Sequence, residues 1–379
     1  MKKIKKRILL AFGTRPEAIK MAPLCHEFLR HADLFETAIL VTAQHREMLD
    51  SVLEIFDIHP DYDLNVMAPG QTLSEVTSKV MIETEKILKE FSPDLVLVHG
   101  DTTSAMATAL AAFYQQIKVA HIEAGLRTND RFSPFPEEMN RYLVDYLSTY
   151  MFAPTSFSQE NLLKEGKSLS ATLVTGNTVI DALFYMLKKP FDLSKTNLPK
   201  KFIDNAMNGG KKNILITCHR RESFGEKVDS ILNSIKDLAT TFSQYEFLFP
   251  VHPNPNITNK VKMVLSDINN VHLVAPLDYQ TFINVMKGSY LIISDSGGIQ
   301  EEGPALGKPV VILRETSERP EAVLAGTAIL AGTDRKNIVR IVTNLLTDEM
   351  KYSKMANIKN PFGDGTACQK IVEFLREKI

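Results

Sequence analysis

The sequence predicts an α/β fold of two Rossmann-like domains, each a parallel sheet covered by helices. Three observations carry that prediction. Apolar runs of strand length alternate with helical patterns from residue 8 onward, and a second such series begins at Asn213. The run at 95–98 is Leu-Val-Leu-Val, apolar at every position, as in a parallel strand buried on both faces. A chain of 379 residues also exceeds what one hydrophobic core ordinarily serves, so it divides naturally in two. The expected domains are 1–174 and 175–366, with a last amphipathic helix, 367–379, crossing back onto the first.

In order, a first strand at 8–12 is punctuated by Gly13 and Pro16, and a helix over 17–30 follows with proline near its first turn. A strand at 37–41, a helix over 44–56 and another over 73–91 lead to the strand at 95–98. An Ala-rich helix at 104–114 and a strand at 119–122 come next. Helix 141–150 and strands 151–154 and 171–174 complete the first domain, and Thr175-Gly176-Asn177-Thr178 opens a further helix. Residues 188–212 weaken into Pro, Lys, Asn and Gly and read as an irregular connection. The second series has strands at 214–218, 247–251, 272–275, 290–294 and 309–313. A ligand is expected between the two domains, where strand C-termini converge.

Lys and Arg total 44 against 45 Asp and Glu, with no long like-charge block, which argues against nucleic-acid or membrane-surface partners. Three widely spaced cysteines without a Cys-x-x-Cys pattern argue against a disulfide framework or zinc site and for a reducing cytoplasm. The basic segment 2–7 precedes an apolar run too short for a signal peptide, and no run approaches the length of a membrane span.

Asp101, in His99-Gly100-Asp101-Thr102-Thr103, and Glu123, in His121-Ile122-Glu123-Ala124-Gly125, each fall just past a predicted strand. That edge of an open α/β sheet is where ligands bind, and Glu137 can join them from the following loop. Three acids in one cleft suggest proton chemistry. The competing role for Asp101 is to cap the next helix through Thr103 or Ser104. Ser294-Asp295-Ser296-Gly297-Gly298-Ile299-Gln300-Glu301-Glu302 follows a strand and enters a helix, an arrangement that suits a phosphate or diphosphate, although a tight turn also calls for glycine. Glu302 can meet ribose hydroxyls or simply face solvent. His219 ends another strand, followed by Arg220 and Arg221, while Arg15, Lys20 and Arg319 add cations. Neither Gly-x-Gly-x-x-Gly nor a Gly-x-x-x-x-Gly-Lys loop is present, so no nicotinamide cofactor is indicated.

These residues resemble a known family. Phe12-Gly13-Thr14-Arg15-Pro16-Glu17, Gln44-His45-Arg46-Glu47, His99-Gly100-Asp101-Thr102-Thr103, His121-Ile122-Glu123-Ala124-Gly125-Leu126-Arg127, Pro136-Glu137-Glu138, Thr175-Gly176-Asn177-Thr178, His219-Arg220-Arg221-Glu222 and Asp295-Ser296-Gly297-Gly298 are similar to motifs of the bacterial non-hydrolysing UDP-N-acetylglucosamine 2-epimerases. The resemblance implies a fold of glycosyltransferase-B type with the active site in the interdomain cleft. It implies interconversion of UDP-GlcNAc and UDP-ManNAc by elimination and re-addition of UDP through 2-acetamidoglucal, without cofactor or metal, in a cytoplasmic homodimer that supplies cell-surface polysaccharide. It assigns Asp101, Glu123, Glu137 and His219 to catalysis, and Arg15, Lys20, Phe282, Ser296, Gly297, Gly298, Glu302 and Arg319 to UDP. An allosteric second site is implied at Gln44, Gln71, Arg220 and His252, weakened because Glu47 and Gly70 stand where activated relatives carry Gln and Arg. The rival readings are a hydrolysing epimerase, a UDP-sugar transferase of the same architecture and a sugar-nucleotide sensor.

Overall fold

The computed structural model describes the chain apart from residues 1–4, 44–45, 69, 210–211, 219–225 and 252–253, and apart from the side chains of 46–47, 226 and 255–256. It divides into two compact units, Met1–Tyr185 with Phe362–Ile379, and Met186–Pro361.

The first unit carries β1 (Lys6–Phe12), α1 (Arg15–Arg30), β2 (Phe35–Val41), α2 (Arg46–Phe56), β3 (Tyr62–Asp63), α3 (Leu73–Phe91) and β4 (Leu95–His99). It continues through α4 (Thr103–Tyr114), β5 (Lys118–Ile122), α5 (Glu137–Leu147), β6 (Tyr150–Ala153), α6 (Ser156–Lys164), β7 (Thr172–Val174) and α7 (Thr178–Lys188). Its strands form one parallel sheet in the order β3-β2-β1-β4-β5-β6-β7. The order reverses between β1 and β4, which places the turns after those two strands at the topological switch point. Leu9, Ala11, Leu40, Val96 and Val98 build the core with the alanines of α4, whose small side chains let that helix lie close against the sheet.

The second unit contains α8 (Lys200–Met207), β8 (Asn213–Thr217), α9 (Glu226–Thr241), β9 (Glu246–Pro250), α10 (Pro255–Leu265), β10 (Val271–Val274) and α11 (Tyr279–Lys287). Then come β11 (Leu291–Ser294), α12 (Ile299–Ala305), β12 (Val310–Ile312), α13 (Pro320–Ala325), β13 (Ala328–Leu330), α14 (Arg335–Thr347) and α15 (Glu349–Ala356). Its parallel sheet runs β10-β9-β8-β11-β12-β13, with the switch between β8 and β11. Ile214, Ile216, Leu232, Ile235, Phe247, Phe249, Leu291 and Ile293 fill its core.

The chain then returns to the first unit as α16 (Ala367–Lys378). Its face of Ala367, Cys368, Ile371, Val372 and Leu375 is buried. Full burial of a side chain such as Ile371 or Leu375 stabilises by about 1.5–3 kcal/mol. Asp181 on α7 accepts the Ala367 and Cys368 N–H groups at 3.2 and 2.9 Å, doing the work of an N-cap from a distant helix. Phe374 meets Tyr150 and Phe152 edge-on.

The structure departs from the sequence-based expectation in several places, among them α6, for which no separate helix was expected. Both sheets gain a short strand, β3 and β13, each too brief to leave an alternating pattern. Residues 200–207, expected to be irregular, form α8, because Phe202 and Ile203 bury one face and Asn213 ties the Phe202 carbonyl to β8 at 2.7 Å. α5 begins at Glu137 rather than at 141, so Glu137 stands in a helical first turn, where the helix dipole favours acids. α7 starts within the first unit, whereas 175 was the expected start of the second.

Candidate active site

Thr14 caps α1 and Glu17 completes a capping box. The Glu17 carboxylate accepts from the Gly13 and Thr14 N–H groups at 3.0 and 2.7 Å and from the Thr102 hydroxyl at 2.7 Å, which joins the turns after β1 and β4. Burial pushes the Glu17 carboxyl upward, and the hydrogen bonds from Thr102, Thr14 and Gly13 oppose that push. Gly13 is required by close approach: a Cβ there would come within 1.9 Å of Thr42 Oγ1.

β4 and β5 pair in register with His99 opposite Ile122, and the Gly100 N–H donates to the Ile122 carbonyl at 2.9 Å. Asp101 and Glu123 therefore leave neighbouring strands at nearly the same level. The helix-capping role falls to Thr102, whose hydroxyl accepts from the Ala105 N–H, so Asp101 is released from it. Arg141 on α5 instead donates to Asp101 Oδ2 through Nε and Nη2 at 2.8 and 2.7 Å, and Asn140 donates to the Asp101 carbonyl at 2.8 Å. Arg141 also pairs with the fully buried Glu138 at 2.9 Å.

Glu123 is 8 % exposed and holds a left-handed backbone at φ +70°, a conformation that costs a non-glycine residue about 1–3 kcal/mol and marks functional sites. Lys20 on α1 forms an ion pair with its Oε2. Asn177 donates to the same oxygen at 3.2 Å. His99 Nε2 lies 3.1 Å from it, close in distance but off the line of a hydrogen bond, and neither ring nitrogen has a hydrogen-bond partner among the described residues. Removing one partner of such a buried pair typically costs about 3–5 kcal/mol. Glu137 is half-buried at the start of α5.

In the second unit, the 295–298 turn follows β11 and leads into α12. The Ser296 N–H already donates to Ser294 Oγ at 2.9 Å, leaving Gly297 and Gly298 at the half-exposed apex. Only the Glu302 carboxylate lies near a Cβ placed on Gly298, so the backbone is open to approach. Glu302 is buried and accepts from Tyr279 Oη at 3.1 Å, which removes the solvent-facing alternative. Arg319 caps α13 with its guanidinium turned onto the buried Glu301. Phe282 is half-buried on α11.

Of the residues predicted for the site, Asp101, Glu123 and Lys20 thus gather at one edge of the first sheet, with Arg15 exposed at the start of α1. Lys20, expected at UDP, pairs with a carboxylate, and Arg319 likewise. Gln71 bonds within its own loop, to the Val66 carbonyl and the Ala68 N–H, beside a groove of about 690 Å3 lined by Gly70, Ser74, Ser78 and Lys79. Gln44, His219, Arg220 and His252 lie outside the described residues. His99, Arg141 and Asn177 were not singled out from sequence, although each sits within or beside a motif that was.

A family model described as UDP-N-acetylglucosamine 2-epimerase matches residues 27–376. The UDP-N-acetylglucosamine 2-epimerase of Escherichia coli K12 is 51% identical over 376 residues, 98% of each chain. The crystal structure of UDP-GlcNAc 2-epimerase from Neisseria meningitidis bound to UDP-GlcNAc superposes with a TM-score of 0.87 at 49% identity, covering 98% of this chain and 100% of that one. The Methanocaldococcus jannaschii enzyme in complex with UDP-GlcNAc and UDP gives 0.78 at 33% identity, covering 98% and 99%. With two parallel Rossmann-like sheets of the glycosyltransferase-B class and matches of this extent, the chain belongs to the UDP-N-acetylglucosamine 2-epimerase family.

Proposed function

We propose that the protein interconverts UDP-N-acetylglucosamine and UDP-N-acetylmannosamine without hydrolysis, eliminating UDP to 2-acetamidoglucal and adding it back after protonation of the other face of C2. The observation that carries this reading is the pair of carboxylates, Asp101 and Glu123, leaving paired strands in register, each beside a cation. The hydrogen on C2 is poorly acidic until the anomeric C–O bond breaks, so a base must act as UDP departs. The C–H electron pair becomes the C1–C2 double bond while the C–O pair leaves with UDP. Re-addition reverses this, with a second acid protonating C2 from the opposite face, and no net oxidation occurs.

Asp101, Glu123 and Glu137 are the acid–base groups. Lys20 pairs with Glu123, as Arg141 does with Asp101. A positioned base contributes about 10²–10⁴-fold, so stabilisation of the departing diphosphate must supply much of the remainder. We assign that to His219, Arg15 and the backbone at 296–298, with Phe282, Glu302 and Arg319 around the nucleotide. An NMR time course in D2O with UDP-GlcNAc alone tests the reading. UDP-ManNAc bearing deuterium at C2, without net UDP, is expected. UDP with free N-acetylmannosamine would mark a hydrolysing enzyme, full activity with retention of the original hydrogen would exclude proton exchange, and no change would favour a transferase or a sensor.

The same reading makes the protein a cytoplasmic homodimer supplying cell-surface polysaccharide. Exposed Leu143 and Tyr146 on α5, with Phe113 and Tyr114 at the end of α4, offer an apolar face for the second copy. Sedimentation of Tyr146→Asp as a monomer, against a dimeric wild type, is the expected result.

A further inference from the structure

Beneath the two carboxylates the first unit buries a charged network centred on His121, which is fully buried on β5. Its Nδ1 lies 2.6 Å from Asp145 Oδ1 on α5, and its Nε2 lies 2.8 Å from the Gly100 carbonyl oxygen. Both partners are acceptors. Each contact is a hydrogen bond only if both ring nitrogens carry protons, and an imidazolium is the form that satisfies them together.

The remaining charges balance it. Asp145 Oδ2 accepts from Arg127 Nη2 at 2.7 Å and from the Gly125 N–H at 3.3 Å. Arg127 also pairs with Glu165 through Nε and Nη2 at 2.7 and 2.6 Å, and its guanidinium lies 4.1 Å from the Tyr142 ring centroid. Asp145 thus stands between two cations, His121 and Arg127, with the half-buried Glu165 on the far side of Arg127.

The position of this set in the chain gives it a consequence for catalysis. Gly100 immediately precedes Asp101, and Gly125 follows Glu123 by two residues. Both glycines hold positive φ, +64° and +83°. One ring therefore ties the turn that ends β4 to the turn that ends β5, directly through a carbonyl on one side and through Asp145 on the other. A neutral ring could donate to only one of them, leaving the other turn without its link.

We propose that His121, held as an imidazolium by Asp145, is a positioning residue that fixes the spacing of the Asp101 and Glu123 carboxylates. The proposal rests on the acid–base reading given above. His121 acts through the two turns and not on the reacting atoms. Misplacement of a reacting group by about 1 Å can cost about 10²-fold in rate, so a small relaxation of either turn reaches kcat.

The test compares His121→Gln, Asp145→Asn and the double variant, assayed with UDP-GlcNAc well below each variant's unfolding temperature. Each single variant is expected to lose about 10²-fold in kcat with KM nearly unchanged. The double variant should fall no further, because both substitutions break one link. Folded single variants with wild-type kcat, or additive losses in the double variant, overturn the proposal. ¹⁵N NMR of histidine-labelled wild-type protein adds a readout that needs no variant to fold. A ring carrying a proton on each nitrogen, as its two acceptor contacts require, is expected at the assay pH, and a neutral His121 ring overturns the proposal. Wild-type protein that leaves UDP-GlcNAc unchanged would sink the epimerase reading by itself, since the ring's protonation would still be read.

Discussion

Lys20 shows at the scale of one residue how a plausible assignment and the fold can differ. It belongs to the cation-rich start of α1, where a diphosphate is an obvious partner, yet its ammonium meets Glu123, 103 positions along the chain. The two roles separate kinetically. If Lys20 serves Glu123, Lys20→Met lowers kcat and leaves the affinity for UDP almost unchanged, whereas a UDP ligand would show itself in KM and in UDP titrations. Asp101→Asn, Glu123→Gln and Glu137→Gln should each lower kcat by about 10²–10⁴-fold in proteins that remain folded, as for proton-transfer groups. An amide variant that keeps its turnover but melts earlier would reveal a structural carboxylate. The placement of Asp101 and Glu123 was legible in the sequence, because each follows closely on an apolar strand and so falls at its C-terminal edge. Their partners were not. Arg141 and Asn177 lie 40 and 54 positions from the carboxylates they bind, and no local pattern announces a pairing at that distance.

Among the elements, the turn after β5 is tightly constrained. Gly125 has φ +83°, and a Cβ there would sit 2.2 Å from the Ser158 carbonyl on α6. Gly125→Ala should therefore cost at least the roughly 1–2 kcal/mol of a left-handed L-residue. At about 2–4 °C per kcal/mol for a unit of this size, calorimetry should show the first unit's transition falling by several degrees. The longer strands were readable because buried parallel strands are uniformly apolar, and α1 because Gly13 and Pro16 punctuate its start, Pro16 falling in its first turn. β3 and β13 escaped notice because sheet neighbours alone stabilise such short strands. α8 was hidden by the lysines and prolines around it, and only its packing against β8 makes it a helix.

For the whole molecule, the buried charges set the acid limit of stability. Burial alone would push the Asp145 carboxyl upward, but the neighbouring His121 and Arg127 charges and hydrogen bonds hold it below its ordinary value of 3.8. A carboxyl depressed in the folded state contributes stability that is complete above its unfolded value and lost as pH falls through the folded one. Urea titrations should accordingly show wild-type stability declining below about pH 3.8. Asp145→Asn should be about 3–5 kcal/mol less stable at neutral pH, with a flatter acid limb; an equally steep limb would assign the acid sensitivity elsewhere. The return of α16 to the first unit bears on how the protein is made. The Asn177 N–H donates to the Phe362 carbonyl at 2.7 Å, so the strands of chain leaving for and arriving from the second unit are fastened side by side. Everything between Met186 and Pro361 is translated before the helix that completes the earlier unit exists. During synthesis the unit begun second can be finished first, while its predecessor waits with the apolar groove for Ile371, Val372 and Leu375 uncovered, open to chaperones until α16 has emerged from the ribosome.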